Sequence, residues 1–72
     1  GVKHAAIEII SHHGDIEIDA GAGCYKLKAS KDLLESLVKT DVISGQLAEA
    51  CKRLTLVVSG QSIVTCYRTN LH

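Results

Sequence analysis

Hydrophobic and polar residues alternate strictly along two short segments in the first half of the chain. The segments are residues 15–19 and 25–29, and in each of them every second residue is apolar. An alternation of period two is typical of a strand with one buried face. The preceding run, residues 2–10, is rich in apolar residues and includes three isoleucines, which predicts a further strand. We expect that strand to end in a turn over residues 11–14.

The two alternating segments predict one hairpin with a defined register. Gly21 and Ala22 are the expected two-residue loop, because a type II′ turn prefers glycine at its first position. This register places opposite charges on one face and apolar side chains on the other, with the pairs Asp15–Lys28, Glu17–Lys26, Ile16–Leu27 and Ile18–Tyr25. A slip of one residue would set carboxylates against apolar side chains, so the pattern specifies the register. Cys24 is then expected on the lysine face, beside Asp19 and accessible.

The middle of the chain has helical spacing. Ser30 is a candidate N-cap, and Asp32 in the first turn suits the positive end of the helix dipole. Apolar residues then recur at steps of three and four, first Leu33, Leu34, Leu37 and Val38, and then Ile43, Leu47, Ala50, Cys51 and Leu54. Gly45 weakens the junction, so we expect two short helices, the second capped by Thr40 or Ser44.

The last third of the chain predicts a second hairpin, formed by residues 55–59 and 62–68 around Gly60 and Gln61. A two-residue loop gives the pairs Val58–Ile63, Val57–Val64 and Thr55–Cys66. One moderately apolar face is then left without a helix. We expect it to be an interaction surface formed by Thr55, Val57, Val64, Cys66 and Arg68.

The predicted element order is β-β-β-α-α-β-β. This order gives an α+β fold in which an antiparallel β-sheet carries two helices packed on one face. No proline or repeat interrupts the chain, so residues 1–72 are expected to form a single domain.

Composition narrows the class of function. The formal net charge is zero, which removes the basic footprint of a nucleic-acid-binding protein. No apolar run approaches the roughly 20 residues of a transmembrane helix. The core has neither Phe, Trp nor Met, and a thin aliphatic core often depends on a disulfide, a metal or a partner.

The three cysteines are the candidates for such a covalent link. A bridge between Cys51 and Cys66 would tie a helix to the sheet if Cys66 points inward. A bridge between Cys24 and Cys66 would lie on the helix-free face if both point outward, which the face assignment favours. The alternatives are three reduced thiols packed as small apolar residues, or an odd thiol that bridges to another chain.

Catalytic and metal chemistry are not expected. His12 and His13 lie in the predicted turn without the Cys or His spacing of a zinc site, so we interpret them as exposed turn residues. A nucleophilic Cys24 would need an electropositive setting, whereas Asp19 is expected opposite it. We therefore predict no enzyme activity, no metal and no cofactor.

Residues 44–54, SGQLAEACKRL, resemble a helix of the small secreted fungal killer toxins, whose fold some plant-pathogen effectors share. The similarity lies in a helix with a cysteine near its end, here Cys51, followed by a strand with another, here Cys66. Members of that family are cut from larger precursors, which fits a chain that begins at Gly1 without Met. The family is richer in cysteine and usually places a helix between its first two strands.

These observations predict a small, processed, secreted and non-enzymatic protein that acts by surface contact, as a toxin or effector does. Its partner would be another protein, a second copy, or a second chain of the same precursor. The alternative is an intracellular, cytoplasmic module that forms a homo-oligomer or part of an assembly and keeps its cysteines reduced.

Overall fold

The computed structural model describes residues 2–60 and 62–68. These residues form three helices and four strands in the order α1 Val2–His13, β1 Ile16–Gly21, β2 Cys24–Lys28, α2 Lys31–Lys39, α3 Gly45–Lys52, β3 Leu54–Ser59 and β4 Ser62–Arg68. The strands form one antiparallel sheet in the order β1-β2-β3-β4. The α+β class and the antiparallel sheet are confirmed, with one helix more and one strand fewer than the sequence predicted.

The first segment is the helix α1, and the predicted strand over residues 2–10 is wrong. The buried side chains of α1, Ala6 and Ile10, are four residues apart and therefore lie on one side of a helix. The side chains on its outer side, His4 and Glu8, are exposed. The β-preference of the isoleucines was the misleading signal, because packing of a helix side overrides a weak intrinsic propensity.

Gly14 ends α1 and lets it approach the sheet closely. Its N–H donates to the carbonyl oxygen of Ile10 at 2.8 Å. A Cβ atom on Gly14 would lie 2.6 Å from that oxygen and 2.8 Å from Cγ of Leu27 in β2. His12 and His13, expected in a turn, instead occupy the last turn of α1, where both are exposed.

The two predicted short helices are confirmed as α2 and α3. Ser30 is the N-cap of α2, and its hydroxyl accepts from the N–H of Leu33 at 3.1 Å. Ser44 caps α3 in the same way, with the N–H of Leu47 at 3.1 Å. Of the two candidate caps for the second helix, Ser44 is therefore the correct one, whereas Thr40 is the C-cap of α2.

The first hairpin forms, but the predicted register is wrong by one residue. The observed pairs are Ile16–Lys28, Glu17–Leu27, Ile18–Lys26, Asp19–Tyr25 and Gly21–Cys24. The loop residues are Ala22 and Gly23, both with positive φ, as a type I′ turn requires. Ala20 is left over as a bulge between Asp19 and Gly21. Cys24 keeps its predicted place on the lysine face, but Asp19 lies on the other face.

A second bulge shifts the register of the last hairpin. The pair Val58–Ile63 is confirmed, but Val64 is an extra residue. Beyond it the observed pairs are Val57–Thr65, Leu56–Cys66, Thr55–Tyr67 and Leu54–Arg68 instead of the predicted Val57–Val64 and Thr55–Cys66. Gln61, half of the predicted loop, lies outside the described residues.

One hydrophobic cluster joins all three helices to a single face of the sheet. The sheet contributes Leu27, Leu54, Leu56 and Val58 to it, and the helices contribute Ala6, Ile10, Leu34, Leu37, Ala48 and Cys51. Helix α1 packs mainly against α3 and β3. Strand alternation places Ile18, Cys24, Lys26, Val57 and Tyr67 on the opposite side, which we call the free face.

Candidate functional site

The predicted interaction surface is divided between the two faces of the sheet. Thr55 and Val57 lie on the free face, where Thr55 is only 2% exposed. Cys66 and Arg68 pair with Leu56 and Leu54 and therefore lie on the helix-covered side. The bulge at Val64 causes the division, because one extra residue reverses the facing of all residues after it. Whether any of these residues binds a partner stays a prediction.

All three cysteines are unpaired, and they lie in three different settings. Cys24 is half-buried on the free face, Cys51 is buried in the core, and Cys66 is half-buried on the helix-covered side. Because Cys24 and Cys66 lie on opposite faces, the premise that favoured a bridge between them is wrong. Burial raises the pKa of the Cys51 thiol, whose Sγ lies 3.9 Å from the carbonyl oxygen of Ala6.

The residues considered for catalysis or metal binding are not brought together. His12 and His13 end α1, close to the point where the N–H of Asp15 donates to the carbonyl oxygen of Lys28 at one end of β2. Cys24 is at the other end of that strand. Within residues 2–60 and 62–68, no group of three or more His, Cys, Asp or Glu side chains is placed to hold a metal ion. None of the described helices has the length and apolar character needed to cross a bilayer.

The first candidate site is the β4 edge, which we define as the outer side of Ser62–Arg68. Among the described strands, β4 pairs only with β3, so its other side presents unpaired N–H and C=O groups. Three large apolar side chains are exposed along it, Ile63 at 44%, Val64 at 59% and Tyr67 at 41%. Arg68, at its end, is its single charged residue. An apolar edge strand with a single charge, at its end, is a template for another strand.

The other edge of the sheet, β1, differs in charge. It carries Glu17 and Asp19, and the bulge at Ala20 interrupts its pairing. The residues that follow, Gly21 to Gly23, all have positive φ. Both edge strands contain a bulge, at Ala20 in β1 and at Val64 in β4, so charge is what distinguishes them. Charged side chains keep natural edge strands from pairing, and β1 carries two carboxylates where β4 has a single charge at its end.

The second candidate site is a cavity of about 330 Å³ between α1, the end of α3 and β4, which we call the basic cleft. Three cations line it: Lys3 from α1, Arg53 from the end of α3, and Arg68 from β4. Its apolar lining comes from Ala6, Ala50 and Leu54, with Cys66 on the β4 side. Tyr67, between Cys66 and Arg68, also borders the cavity. No carboxylate is found among the described residues that line it. The cleft therefore combines a positive charge with an apolar floor.

A second groove, of about 290 Å³, lies between α2 and α3 and shows no preference for the charge of a ligand. Its lining includes the apolar side chains of Leu34, Val38 and Ala48. Charges of both signs surround them, from Glu35, Lys39, Glu49 and Lys52. Mixed charges favour neither an anion nor a cation, so this groove indicates no ligand class.

Sequence reasoning missed the basic cleft because its three cations are far apart along the chain. They come together only because residues 2–13 form a helix that packs on α3, and because the bulge at Val64 turns Arg68 to the helix side. Neither feature has a clear signal in the sequence. The β4 edge, by contrast, follows from the predicted strand over residues 62–68.

The resemblance of residues 44–54 to the fungal killer toxins stays a prediction. The segment forms α3 and the first residue of β3, with Cys51 near the end of the helix and Cys66 in a later strand. No protein-family model matches the chain, and neither a curated protein nor a solved structure shows significant similarity to it.

Proposed function

We propose that this chain is a non-enzymatic binding module that acts by surface contact, and that the contact is made at the β4 edge. The observation that carries the proposal is an edge strand that pairs with β3 alone among the described strands and has three exposed large apolar side chains. Adding a strand there satisfies the free backbone groups and removes apolar surface from water at the same time.

The partner that fits the β4 edge best is a second copy of the chain. Two β4 strands paired antiparallel about Cys66 would place Tyr67 of one copy opposite Thr65 of the other, with both side chains on the free face. Aromatic side chains opposite β-branched ones are favourable cross-strand pairs. Arg68 would lie opposite Val64 of the other copy, so no like charges meet. The contact is two-fold symmetric and therefore closes as a dimer.

The test compares two valine-to-lysine variants in a measurement of mass against protein concentration. Val64→Lys puts a charge on the β4 edge, whereas Val42→Lys changes a valine of similar exposure, 55%, in the connection between α2 and α3. Sedimentation equilibrium in reducing buffer should show a monomer–dimer equilibrium for the unmodified protein. We expect Val64→Lys to weaken dimerisation at least tenfold and Val42→Lys to leave it unchanged, with the circular dichroism of both intact.

Two results would count against the proposal. One is an unmodified protein that stays monomeric up to millimolar concentration. The other is an equal loss of dimer in both lysine variants, which would point to general charge repulsion and not to a specific edge.

A secreted toxin- or effector-like function is the second proposal, and the setting of the cysteines is what supports it. Cys24 and Cys66 are each partly exposed and point to opposite faces, so either thiol is placed to bridge to another chain. Mass spectrometry under non-reducing conditions on protein made by its natural source should then find an intermolecular disulfide. Three free thiols in that material would favour the dimer with reduced cysteines.

A further inference from the structure

We infer that the basic cleft binds a small amphipathic anion, namely a carboxylate carried on an apolar chain. This inference concerns the helix side of β4 and does not depend on the strand pairing proposed for its outer edge.

Among residues 2–60 and 62–68, the three cations of the cleft have no acidic partner. The ion pairs of the described residues are His4 with Glu8 and Lys52 with Glu49, so none includes Lys3, Arg53 or Arg68. The chain has as many acidic as basic residues, yet these three cations gather around one cavity. Positive charges that converge on a cavity with low-dielectric walls focus the potential and attract an anion.

The apolar floor of the cleft favours an anion that carries an apolar chain. Ala6 and Leu54 are buried members of the core cluster, and Ala50 packs against it. The volume of about 330 Å³ is at the lower end of the range of cavities that hold small molecules, which is roughly 300–1,000 Å³. An apolar chain therefore has room to cover the floor while its charged end stays at the cations.

A carboxylate is the anionic end that this set of side chains suits. Arg53 and Arg68 each present a planar guanidinium, which pairs with a carboxylate through two parallel hydrogen bonds. Lys3 adds a third positive charge without a directional requirement. A free phosphate would meet the cations equally but would leave the apolar floor uncovered.

The experiment is a set of titrations of the reduced, folded protein followed by two-dimensional amide NMR. The probes are octanoate, octanol and inorganic phosphate, so that chain and charge are supplied together and then one at a time. We expect octanoate to shift the amides of Ala6, Ala50 and Leu54 in a saturable way. Octanol and phosphate should each bind at least tenfold more weakly.

Charge-removing variants provide the controls. Arg53→Gln with Arg68→Gln should reduce octanoate affinity at least tenfold, whereas Lys31→Gln, an exposed lysine at the start of α2, should leave it unchanged. Val64→Lys should still bind octanoate, which keeps this test separate from that of the β4 edge.

Three results would overturn the inference. If octanol binds as tightly as octanoate, the cations do not contribute to binding. If inorganic phosphate binds as tightly as octanoate, the apolar floor does not contribute. Octanoate shifts confined to the free face would place the binding elsewhere.

Discussion

Asp15 links the start of β1 to the start of α2. One carboxylate oxygen accepts from the N–H of Ser30 at 2.8 Å, and the other accepts from its hydroxyl at 2.6 Å. The same hydroxyl accepts from the N–H of Leu33, so Asp15 holds the residue that caps α2. The hydrogen bond from the Ser30 side chain, followed by that from its backbone, lowers the pKa of Asp15 below its ordinary value.

We predict that Asp15→Asn is less stable than the unmodified protein at pH 7, and that the difference shrinks in acid. The pKa of Asp15 is lower in the folded state, so the stabilisation is present above the ordinary carboxyl pKa and is lost as the pH falls through the folded value. Urea unfolding at pH 7, 5, 4 and 3 measures this. The gap should narrow below about pH 4.

Glu35→Gln is the matched control for Asp15, because Glu35 is exposed and takes part in no described ion pair. It should change stability little at any of these pH values. A constant difference between Asp15→Asn and the unmodified protein from pH 7 to pH 3 would mean that the charge of Asp15 does not stabilise the cap.

At the scale of elements, the close approach of α1 to β2 depends on Gly14. Alanine at this position would bring its Cβ within 2.6 Å of the Ile10 carbonyl oxygen and 2.8 Å of Leu27 Cγ. We predict that Gly14→Ala lowers the free energy of unfolding by about 1–3 kcal/mol, the usual range for overpacking. Thermal and urea unfolding measure the change.

Gly45→Ala is the control for Gly14→Ala. Gly45 begins α3, and a Cβ there would meet nothing within 4 Å. Alanine has the higher helix propensity and reduces the entropy of the unfolded chain, so this variant should be neutral or more stable by up to about 1 kcal/mol. Equal effects of the two substitutions would show that α1 does not pack against β2 in this way.

The elements differ in how much of them was predictable from sequence. The starts of α2 and α3 were predictable, because Ser30 and Ser44 cap these helices through hydrogen bonds to residues three positions later. The existence of both hairpins was also predictable, because each is formed by two strand segments that are neighbours in the sequence. Their registers were not, since Ala20 and Val64 each add a bulged residue that no local pattern marks. Helix α1 was missed because its burial depends on distant partners in α3 and β3.

At the scale of the whole molecule, zero net charge conceals an uneven distribution. Carboxylates lie along β1 at one edge of the sheet, and three cations surround the basic cleft beside β4 at the other. A neutral average therefore excludes a broad basic footprint for nucleic acid but not a local anion site. The lack of a basic footprint was predictable from the sequence, whereas the local group of cations is visible only in the fold.

The two unlike edges also define how copies can associate. Pairing of β4 with β4 is two-fold symmetric and stops at a dimer, whereas pairing of β4 with β1 of the next copy would continue into an open chain. The carboxylates of Glu17 and Asp19 on β1 oppose the second arrangement. We therefore expect a dimer and no larger assembly.

The most direct test of the β4 edge as the contact surface is amide hydrogen exchange measured residue by residue, at concentrations well below and well above the dimer dissociation constant. We predict that the β4 amides that point away from β3 exchange rapidly in the monomer and slowly in the dimer, while those on the outer side of β1 are unchanged. Protection that develops on β1, or β4 exchange that stays rapid while the mass doubles, would contradict it.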